Sequence, residues 1–463
     1  MFDPCLDGTV HALDMFSKIL IANRGEIARR IGAVAQSMGI KTVAVYSDAD
    51  VDLPFVKEAN ESVRIGPAPA KESYLNTDAL LAAAKQTGAQ AIHPGYGFVS
   101  ENAEFARDCT AAGVVFVGPP PEAILRMKDK SEARKLVSAA GVPIVPGSKD
   151  IVPDLATAQA EAERIGYPVL VKAAGGGGGI GMTVANGPGD LEKAFRSSAD
   201  RARSAFGREG VYLEKYFAAP RHLEVQILGD VHGHTIHVLD RECSIQRRHQ
   251  KVVEEAGSPL FLDGANAAIH AKLFDAGLKA ARAFGYANAG TVEFLYSDGD
   301  VYFIEMNARL QVEHPVTELT TGVNLISWQF RIAAGEKLTV QQADVKRIGH
   351  ALEFRIYAED PVKFFPSPGP LKVFTPPTGP NVRLDAGYEQ GNIVTPNYDP
   401  MIAKLIVTGA SRREAIARSK VALEQFVIEG IKTNLPLHQR IIAAPAFLEG
   451  KLDTRFLDNH AKP

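Results

Sequence analysis

One alternating stretch, Glu305 to Pro315, constrains the fold more than any other part of the chain. Successive side chains of a strand point to opposite faces. One face would carry the polar residues Glu305, Asn307, Arg309, Gln311 and Glu313, and the other Met306, Ala308, Leu310 and Val312. A straight strand would span about 26 Å over these residues, at roughly 3.3 Å each, which is more than one reaction centre needs. We therefore expect a bend after Asn307.

The preceding residues predict a β-hairpin. Residues 291–296 and 301–305 are rich in β-branched and aromatic side chains and flank Ser297-Asp298-Gly299. A three-residue loop with Gly299 left-handed would place Glu293 and Glu305 on one face, diagonal to each other, whereas an even loop would place them on opposite faces. With the amide oxygen of Asn307, these two carboxylates suit a hard cation such as Mg²⁺ or Mn²⁺. A solvated strand face is the alternative interpretation.

Composition excludes several classes of function. The 463 residues are enough for two or three domains, and a net charge of −3 gives no nucleic-acid footprint and no basic membrane patch. Three scattered cysteines fit a reducing, cytoplasmic location, and no stretch approaches the roughly 20 apolar residues of a membrane span. Residues 1–14 contain three aspartates and no apolar core, so they are interpreted as an extension outside the folded core.

The N-terminal part alternates short apolar runs with helical segments. This order predicts a doubly wound parallel sheet over residues 15–117. Ligands of such sheets bind beyond the carboxyl ends of the strands, where residues 23–26 and 93–97 would lie. Residues 118–144 are predicted to form a helical connector.

A glycine-rich loop lies between two predicted strands, residues 167–172 and 182–185. Its five consecutive glycines, 175–179, offer backbone N–H groups with no side chains to block a phosphate. It is not a Walker loop, because Met182 stands where a Lys-Ser/Thr pair would follow. A flexible linker is the alternative, but a mobile flap over phosphates is favoured.

A second polar run, residues 240–251, follows a predicted half-buried strand at residues 222–228. Its cationic side chains Arg247, Arg248, His249 and Lys251 would repel one another unless anions lie among them. The glutamates at 254 and 255 could supply those anions as an interdomain ion-pair cluster. Alternatively, the run forms a pocket for bicarbonate or phosphate.

Together, these stretches resemble the biotin carboxylases of the ATP-grasp superfamily, over residues 16 to 460. The matching motifs are residues 21–27, 93–102, Lys172 with its glycine loop, 244–255 and 305–317. The resemblance implies a mixed α/β and α+β ATP-grasp fold. Its parts are the doubly wound domain at 15–117, the connector at 118–144, a small mobile lid at 145–216 and a C-terminal part at 217–463.

The resemblance also implies roles for individual residues. ATP is expected to contact Lys130, Lys172, Gly178, Gly179, Glu214, Lys215, Tyr216, Phe217, His222, Gln246, His249, Glu293 and Glu305, and the metal Glu293, Glu305 and Asn307. Bicarbonate is expected at Lys251, Arg309, Gln311, Val312 and Glu313, and biotin at Arg355 and Asp399. The expected catalytic residues are Glu313, Arg309, Lys251 and Arg355.

The implied reaction agrees with the chemistry of these side chains. Glu313 would deprotonate bicarbonate, which attacks ATP to give carboxyphosphate, and Arg355 would stabilise the biotin enolate that captures carbon dioxide. Phosphoryl transfer needs positioning and charge neutralisation rather than a protein nucleophile. One departure is Ile180, which stands where the family usually places a basic residue.

The partners implied are a separate biotin carboxyl carrier protein, a second copy of the chain in a homodimer, and a carboxyltransferase subunit. No Met-Lys-Met carrier motif occurs in the sequence. We expect the biotin carboxylase of acetyl-CoA carboxylase, or alternatively of another acyl-CoA or pyruvate-type carboxylase. A carbamoyl phosphate synthetase-like or amine-ligating enzyme and a non-catalytic nucleotide-binding paralogue also remain open.

Overall fold

The computed structural model describes residues 15–173, 182–206 and 210–461. The N-terminal unit contains β1 (Lys18–Ile21), α1 (Gly25–Ser37), β2 (Lys41–Ser47), α2 (Pro54–Glu58), β3 (Glu61–Gly66), α3 (Thr77–Thr87), β4 (Ala91–His93), α4 (Ala103–Ala111) and β5 (Val115–Phe116). Its strands pair in parallel in the order β3-β2-β1-β4-β5. The predicted doubly wound sheet is confirmed, with the buried apolar runs of β1 and β4 at its centre.

Two helices, α5 (Pro121–Lys128) and α6 (Lys130–Ala139), form the connector. They separate at Asp129, whose carboxylate accepts hydrogen bonds from the N–H groups of Ser131 and Glu132 at 2.9 and 3.1 Å. This N-cap satisfies donors that a helix end leaves unpaired. Lys130 therefore begins α6, and its Nζ donates to Glu305 at 3.0 Å.

A small three-stranded sheet follows. The unit that contains this sheet consists of α7 (Leu155–Ile165), β6 (Val169–Ala173), β7 (Met182–Ala185), α8 (Pro188–Phe206) and β8 (Val211–Lys215). Its strands pair antiparallel in the order β7-β6-β8. Its core is separate from the rest of the chain and includes Val169, Val171 and Leu213. The predictions for Gly178, Gly179 and Ile180, and for the extension at 1–14, lie outside the described residues.

The rest of the chain is organised around one eight-stranded antiparallel sheet. Its elements are β9 (Arg221–Gly229), β10 (Thr235–Arg247), β11 (Gln250–Ala256), α9 (Ala267–Phe284), β12 (Asn288–Ser297), β13 (Asp300–Asn307), α10 (His314–Thr321), α11 (Leu325–Ala333), β14 (His350–Tyr357), β15 (Gly369–Pro370), β16 (Val373–Thr375), β17 (Val382–Ala386), β18 (Ile393–Val394), β19 (Met401–Gly409), α12 (Arg412–Gln425), β20 (Val427–Glu429), α13 (Leu435–Ala443), α14 (Pro445–Leu448) and α15 (Phe456–His460). The sheet order is β13-β12-β9-β10-β11-β14-β19-β17, and β15-β18 and β16-β20 form small ladders. Among the described residues, no helix has both the length and the apolar character needed to span a bilayer.

Strand β9 differs from its predicted half-buried state, because residues 222–229 are all buried. Helix α9 packs on one face, where Gly277 lies against Val225. On the other face, Arg241 of β10 bonds both Gln226 and Thr317 of α10. Polar side chains on this strand are therefore held inside the protein rather than solvated.

The hairpin of β12 and β13 corrects the predicted loop. Its turn has two residues, Asp298 and Gly299, with φ of 54° and 79°, as a type I′ turn requires. A bulge then shifts the register, because Phe294 pairs with Phe303 whereas Glu293 pairs with Glu305. The extra residue between 303 and 305 restores the shared face that an even loop would have removed. The two glutamates are directly opposite, not diagonal.

Candidate active site

Lys251 lies at the centre of a buried cluster of carboxylates. Its Nζ donates to Glu224 at 2.6 Å, to Glu293 at 2.8 Å and to Glu313 at 2.7 Å. Burial opposes the charge of the ammonium group, but these three carboxylates outweigh it and raise the pKa of Lys251 well above its usual value. Lys251 is therefore a fixed cation.

Three features of the local sequence bring this cluster together. Arg248 and His249 form the turn between β10 and β11 with φ of 49° and 68°, and Lys251 follows as the second residue of β11. Glu224 and Glu293 come from the neighbouring strands β9 and β12. Strand β13 ends at Asn307, so the predicted bend is present, and the chain returns to the sheet at Glu313, the N-cap of α10.

Glu313 is buried between two cations. Its Oε1 accepts the bond from Lys251, and its Oε2 accepts one from Arg355 Nη2 at 2.9 Å. Burial would raise the pKa of this carboxyl, but Lys251, Arg355 and Arg241 hold it well below its ordinary value. Glu313 is thus ionised at neutral pH and fixed in position, as a general base must be.

Glu254 holds the other side of Arg355. The guanidinium Nε donates to Glu254 at 2.6 Å. Burial raises the pKa of Glu254 to about 7, with Arg355 opposing the shift and Glu313 adding to it. Arg355 itself keeps its charge, because the surrounding carboxylates raise its pKa despite burial.

Arg309 lies in the bend between Asn307 and α10. Its Nη2 donates to Asn307 Oδ1 at 3.1 Å, and its Nη1 donates to Gln311 Oε1 at 3.3 Å. The carbonyl of Val312 accepts a hydrogen bond from the Nζ of buried Lys404 at 2.9 Å, and this bond helps to hold the bend in place. The Nε of Arg309 lies 3.4 Å from Glu101 Oε2, a single contact rather than a bidentate pair. A planar guanidinium held in this way is suited to bind a small oxyanion.

The residues predicted to bind metal form a contiguous oxygen-rich group. Glu293 and Glu305 are cross-strand partners, and Asn307 Nδ2 donates to Glu293 Oε1 at 2.9 Å. Burial opposes ionisation of Glu293, but Lys251 and His222 keep its pKa far below the ordinary value. Glu305 accepts from Lys130 at 3.0 Å. Two carboxylates with an amide oxygen nearby fit Mg²⁺ in donor chemistry.

Comparison with known proteins places the chain among its relatives. Residues 15–124 match the biotin carboxylase N-terminal domain, residues 129–341 the carbamoyl-phosphate synthase L chain ATP-binding domain, and residues 353–459 the biotin carboxylase C-terminal domain. The biotin carboxylase of Halalkalibacterium halodurans is 53% identical over 97% of this chain and 98% of its own length. The chain belongs to the biotin carboxylase family.

Solved structures of the family agree. A Campylobacter jejuni biotin carboxylase, in a complex with a β,γ-ATP compound, is 45% identical with a TM-score of 0.90 and covers 97% of this chain and 100% of its own. The biotin carboxylase domain of Hydrogenobacter thermophilus 2-oxoglutarate carboxylase, with MgADP and bicarbonate, is 44% identical with a TM-score of 0.87 and covers 96% and 98%. The chain therefore has the ATP-grasp fold of these biotin carboxylases.

Some of the residues expected to contact the nucleotide contact one another. Lys172 bonds Glu214, which also accepts from Arg134 at 2.8 Å. The Nζ of Lys215 donates to the carbonyls of Gly166 and Tyr167 at 3.0 and 2.9 Å. The Lys215 side chain thereby ties β8 to the residues before β6, and the expected contact of Lys215 with ATP stays a prediction.

The other expected residues lie at different distances from the central cluster. His222 Nε2 is 3.2 Å from Glu293 Oε2, and its Nδ1 lies 2.9 Å from Gln246 Nε2. Phe217 stacks on Tyr302 with ring centroids 5.0 Å apart. Tyr216 donates its N–H to the carbonyl of Pro168. The side chains of His249 and of Asp399, which is expected at the biotin site, are exposed.

The anions among the basic run differ from those considered from sequence. Arg247 pairs with Glu359 at 2.6 Å, whereas Glu255 pairs with Arg412 and His350. Sequence reasoning also missed Glu224 and Arg241, which bond each other while both are fully buried. Strand β9 gives no signal of a buried Glu224, because Glu224 and Gln226 alternate with apolar residues as they would in a half-exposed strand.

Proposed function

We propose that this family member is the biotin carboxylase component of an acetyl-CoA carboxylase. It carboxylates biotin on a separate carrier protein with ATP, bicarbonate and Mg²⁺. The observation that carries the proposal is the position of the ionised Glu313 carboxylate between Lys251 and Arg355. Such a fixed base beside two permanent cations suits deprotonation of a small anion and stabilisation of a negatively charged intermediate.

The first half-reaction transfers the γ-phosphoryl group of ATP to bicarbonate. Lys251 and Arg309 would hold bicarbonate with Gln311 and Val312, and Glu313 would take its proton as the oxygen attacks the γ-phosphorus of ATP. The products are carboxyphosphate and ADP. Mg²⁺ held by Glu293, Glu305 and Asn307 would neutralise phosphate charge, which dominates catalysis of phosphoryl transfer.

In the second half-reaction, carboxyphosphate decomposes to carbon dioxide and phosphate. Phosphate removes the ureido proton of biotin, and Arg355 stabilises the enolate that attacks carbon dioxide. Arg355 suits this role because it stays protonated, and Glu254 holds its Nε at 2.6 Å. Asp399 is proposed at the mouth of the biotin pocket.

The nucleotide is assigned to the remaining predicted residues. Lys130 and Lys172 would contact phosphates together with Gly178 and Gly179. The adenosine would lie against Glu214, Tyr216, Phe217, His222, Gln246 and His249, with only backbone atoms contributed by Lys215.

Carrier, carboxyltransferase and a second copy of this chain are the proposed partners, in the cytoplasm. Relatives named biotin carboxylase in Halalkalibacterium halodurans and Pseudomonas aeruginosa, at 53% and 51% identity, support the biotin carboxylase part of this proposal. A second candidate is a pyruvate-type enzyme, because one of the pyruvate carboxylase subunits of Methanothermobacter thermautotrophicus is 48% identical over 97% of the chain.

Bicarbonate-dependent ATP hydrolysis with free biotin tests the proposal. We expect slow hydrolysis that biotin stimulates, with carboxybiotin as product. Ammonia replacing biotin as the stimulant would indicate a carbamoyl phosphate synthetase-like enzyme, and ATP binding without hydrolysis a non-catalytic paralogue. Adding purified carrier with each carboxyltransferase then identifies the acceptor, and a stoichiometric streptavidin signal on this chain alone would contradict a separate carrier.

A further inference from the structure

The crevice at the carboxyl ends of the N-terminal parallel strands contains a side chain of the protein itself. In open parallel sheets this edge is where ligands bind. Here the ring of Tyr398, which comes from the segment between β18 and β19, lies among residues at or just beyond the carboxyl ends of β1, β2, β3 and β4. We name this group of contacts the Tyr398 socket.

Arg24 forms the floor of the socket. It follows β1 as the N-cap of α1 and is 7% exposed. Its Nε and Nη2 donate to the two oxygens of Asp50 at 2.6 and 2.7 Å, and Nη2 also donates to Tyr388 Oη at 3.0 Å. The guanidinium carbon lies 4.3 Å from the centroid of the Tyr398 ring. The cation is thus held over the ring, at the distance of a cation–π contact.

The hydroxyl group of Tyr398 is fixed at the other end of the ring. It donates to the carbonyl of Ala68 at 2.5 Å and lies 2.6 Å from Ser47 Oγ. Tyr74 and Phe98 pack edge-on, with ring centroids 5.5 and 6.4 Å from that of Tyr398. The Arg24 cation, two aromatic neighbours and two hydroxyl contacts together restrain the ring.

The socket fixes a backbone position next to Asp399. Asp399 directly follows Tyr398, and its Oδ1 accepts the N–H of Met401 at 2.9 Å. Met401 in turn pairs with Tyr357 of β14, two residues from Arg355. An exposed carboxylate is thereby held beside the strand that presents Arg355, with one anchor on each side of it.

We propose that Arg24, acting through Tyr398, is a positioning residue for biotin in the second half-reaction. The inference rests on the proposed function, which places Asp399 and Arg355 at the biotin pocket. Arg24 does not touch the substrate. It holds Asp399 in place before biotin arrives, and a preorganised contact binds more tightly than one that must be ordered on binding.

Two variants test the socket. Arg24→Lys keeps the charge but loses the bidentate pair and the guanidinium over the ring. Tyr398→Phe keeps the ring but loses both hydroxyl bonds. We expect each to raise the KM for free biotin about five- to tenfold, while the KM values for ATP and bicarbonate and the biotin-independent ATPase rate stay near those of the wild type.

Arg64→Lys is the matched control. Arg64 also makes a bidentate pair with an aspartate of the same domain, Asp48, at 2.6 and 2.8 Å, but it is exposed and lies outside the socket. Its KM for biotin should not change. Thermal melting of all variants shows whether a kinetic change accompanies unfolding.

The alternative is that Arg24 only anchors two parts of the fold. A loss of thermal stability with an unchanged KM for biotin, or an equal fall in every kinetic parameter, would support that alternative and overturn the proposal. Asp399→Asn shows whether the positioning inference or the proposed biotin pocket is wrong. If it raises the KM for biotin while the socket variants do not, only the positioning inference is wrong. If it too leaves that KM unchanged, the proposed biotin pocket is wrong and the inference fails with it.

Discussion

Replacing Glu313 by glutamine tests the central assignment directly. The change keeps the size of the side chain and removes its charge and its ability to accept a proton. In the folded protein each oxygen of Glu313 accepts from a different cation, Lys251 at 2.7 Å and Arg355 at 2.9 Å. The amide of glutamine has one oxygen, so one of these cations must face an N–H₂ group.

Two separate effects follow, one on the activation barrier and one on the free energy of unfolding. Loss of a positioned general base reduces turnover by about 10²- to 10⁴-fold, which corresponds to about 3–5 kcal/mol in the activation barrier. Removing one partner of a buried ion pair typically costs about 3–5 kcal/mol of stability. Glu313→Gln should therefore show a large kinetic loss together with a measurable loss of unfolding free energy.

A matched buried glutamate separates the two effects. Glu318 lies on the same helix, α10, and its Oε2 accepts from Arg30 at 2.8 Å and from Arg383 at 3.2 Å. Glu318→Gln should also destabilise the protein, because Arg30 loses its buried carboxylate, although Arg383 keeps its bidentate pair with Asp385. It should retain bicarbonate-dependent turnover, since none of its partners is in the proposed site.

The assay is steady-state ATP hydrolysis with and without bicarbonate, run beside urea unfolding of both variants. ATP binding should survive in Glu313→Gln, because its contacts to Lys251 and Arg355 lie outside the proposed nucleotide residues. Near-wild-type turnover in Glu313→Gln would refute its role as base. Equal kinetic losses in the two variants would refute the distinction drawn between site and scaffold.

Three further predictions concern the charges around Glu313. Lys251→Met should lower the unfolding free energy by at least about 3 kcal/mol, since three carboxylates lose their common cation; a loss below about 1 kcal/mol in urea unfolding would contradict this. Lys130→Ala should change stability by less than about 1 kcal/mol, because its pair with Glu305 is exposed, yet it should weaken ATP binding in calorimetry; unchanged affinity would exclude Lys130 from the nucleotide site. The pKa of Glu254 is raised from 4.5 to about 7, so the stability carried by its protonated form is complete below about pH 4.5 and is lost as pH rises through about 7. Glu254→Gln should remove up to about 1.4 kcal/mol per pH unit of that decline, measured by urea unfolding across the interval, and an unaltered slope would disprove the shift.

The parts of the fold that were predicted from sequence depend on local patterns. Helix α3 is bounded by local signals, because the Asn76 side chain accepts from the N–H of Ala79 and Gly88 takes the left-handed conformation that ends a helix. The parallel sheet followed from apolar runs separated by such helices. Each of these signals lies within about ten residues of the structure that it predicts.

The parts that were missed depend on contacts distant in sequence. Burial of β9 is set by α9 and α10, which no pattern within the strand itself reports. The bulge between Phe303 and Glu305 also has no marker in its own residues. Where such a bulge shifts the register, an odd or even number of loop residues no longer predicts which side chains share a face.

The same long-range contacts decide which group responds to pH near neutrality. A pKa near 7 in the pH–rate profile would ordinarily be assigned to the general base. In this structure Glu313 is held ionised by its neighbouring cations, and Lys251 and Arg355 keep their charges, so Glu254 is the group among these four that titrates there. Ionisation of Glu254 completes the ion pair with Arg355 and changes the charge available to the biotin enolate. Glu254→Gln should therefore remove a transition near pH 7 from the rate of biotin carboxylation while Glu313 still acts as base. A transition that persists unchanged in this variant would return the assignment to Glu313.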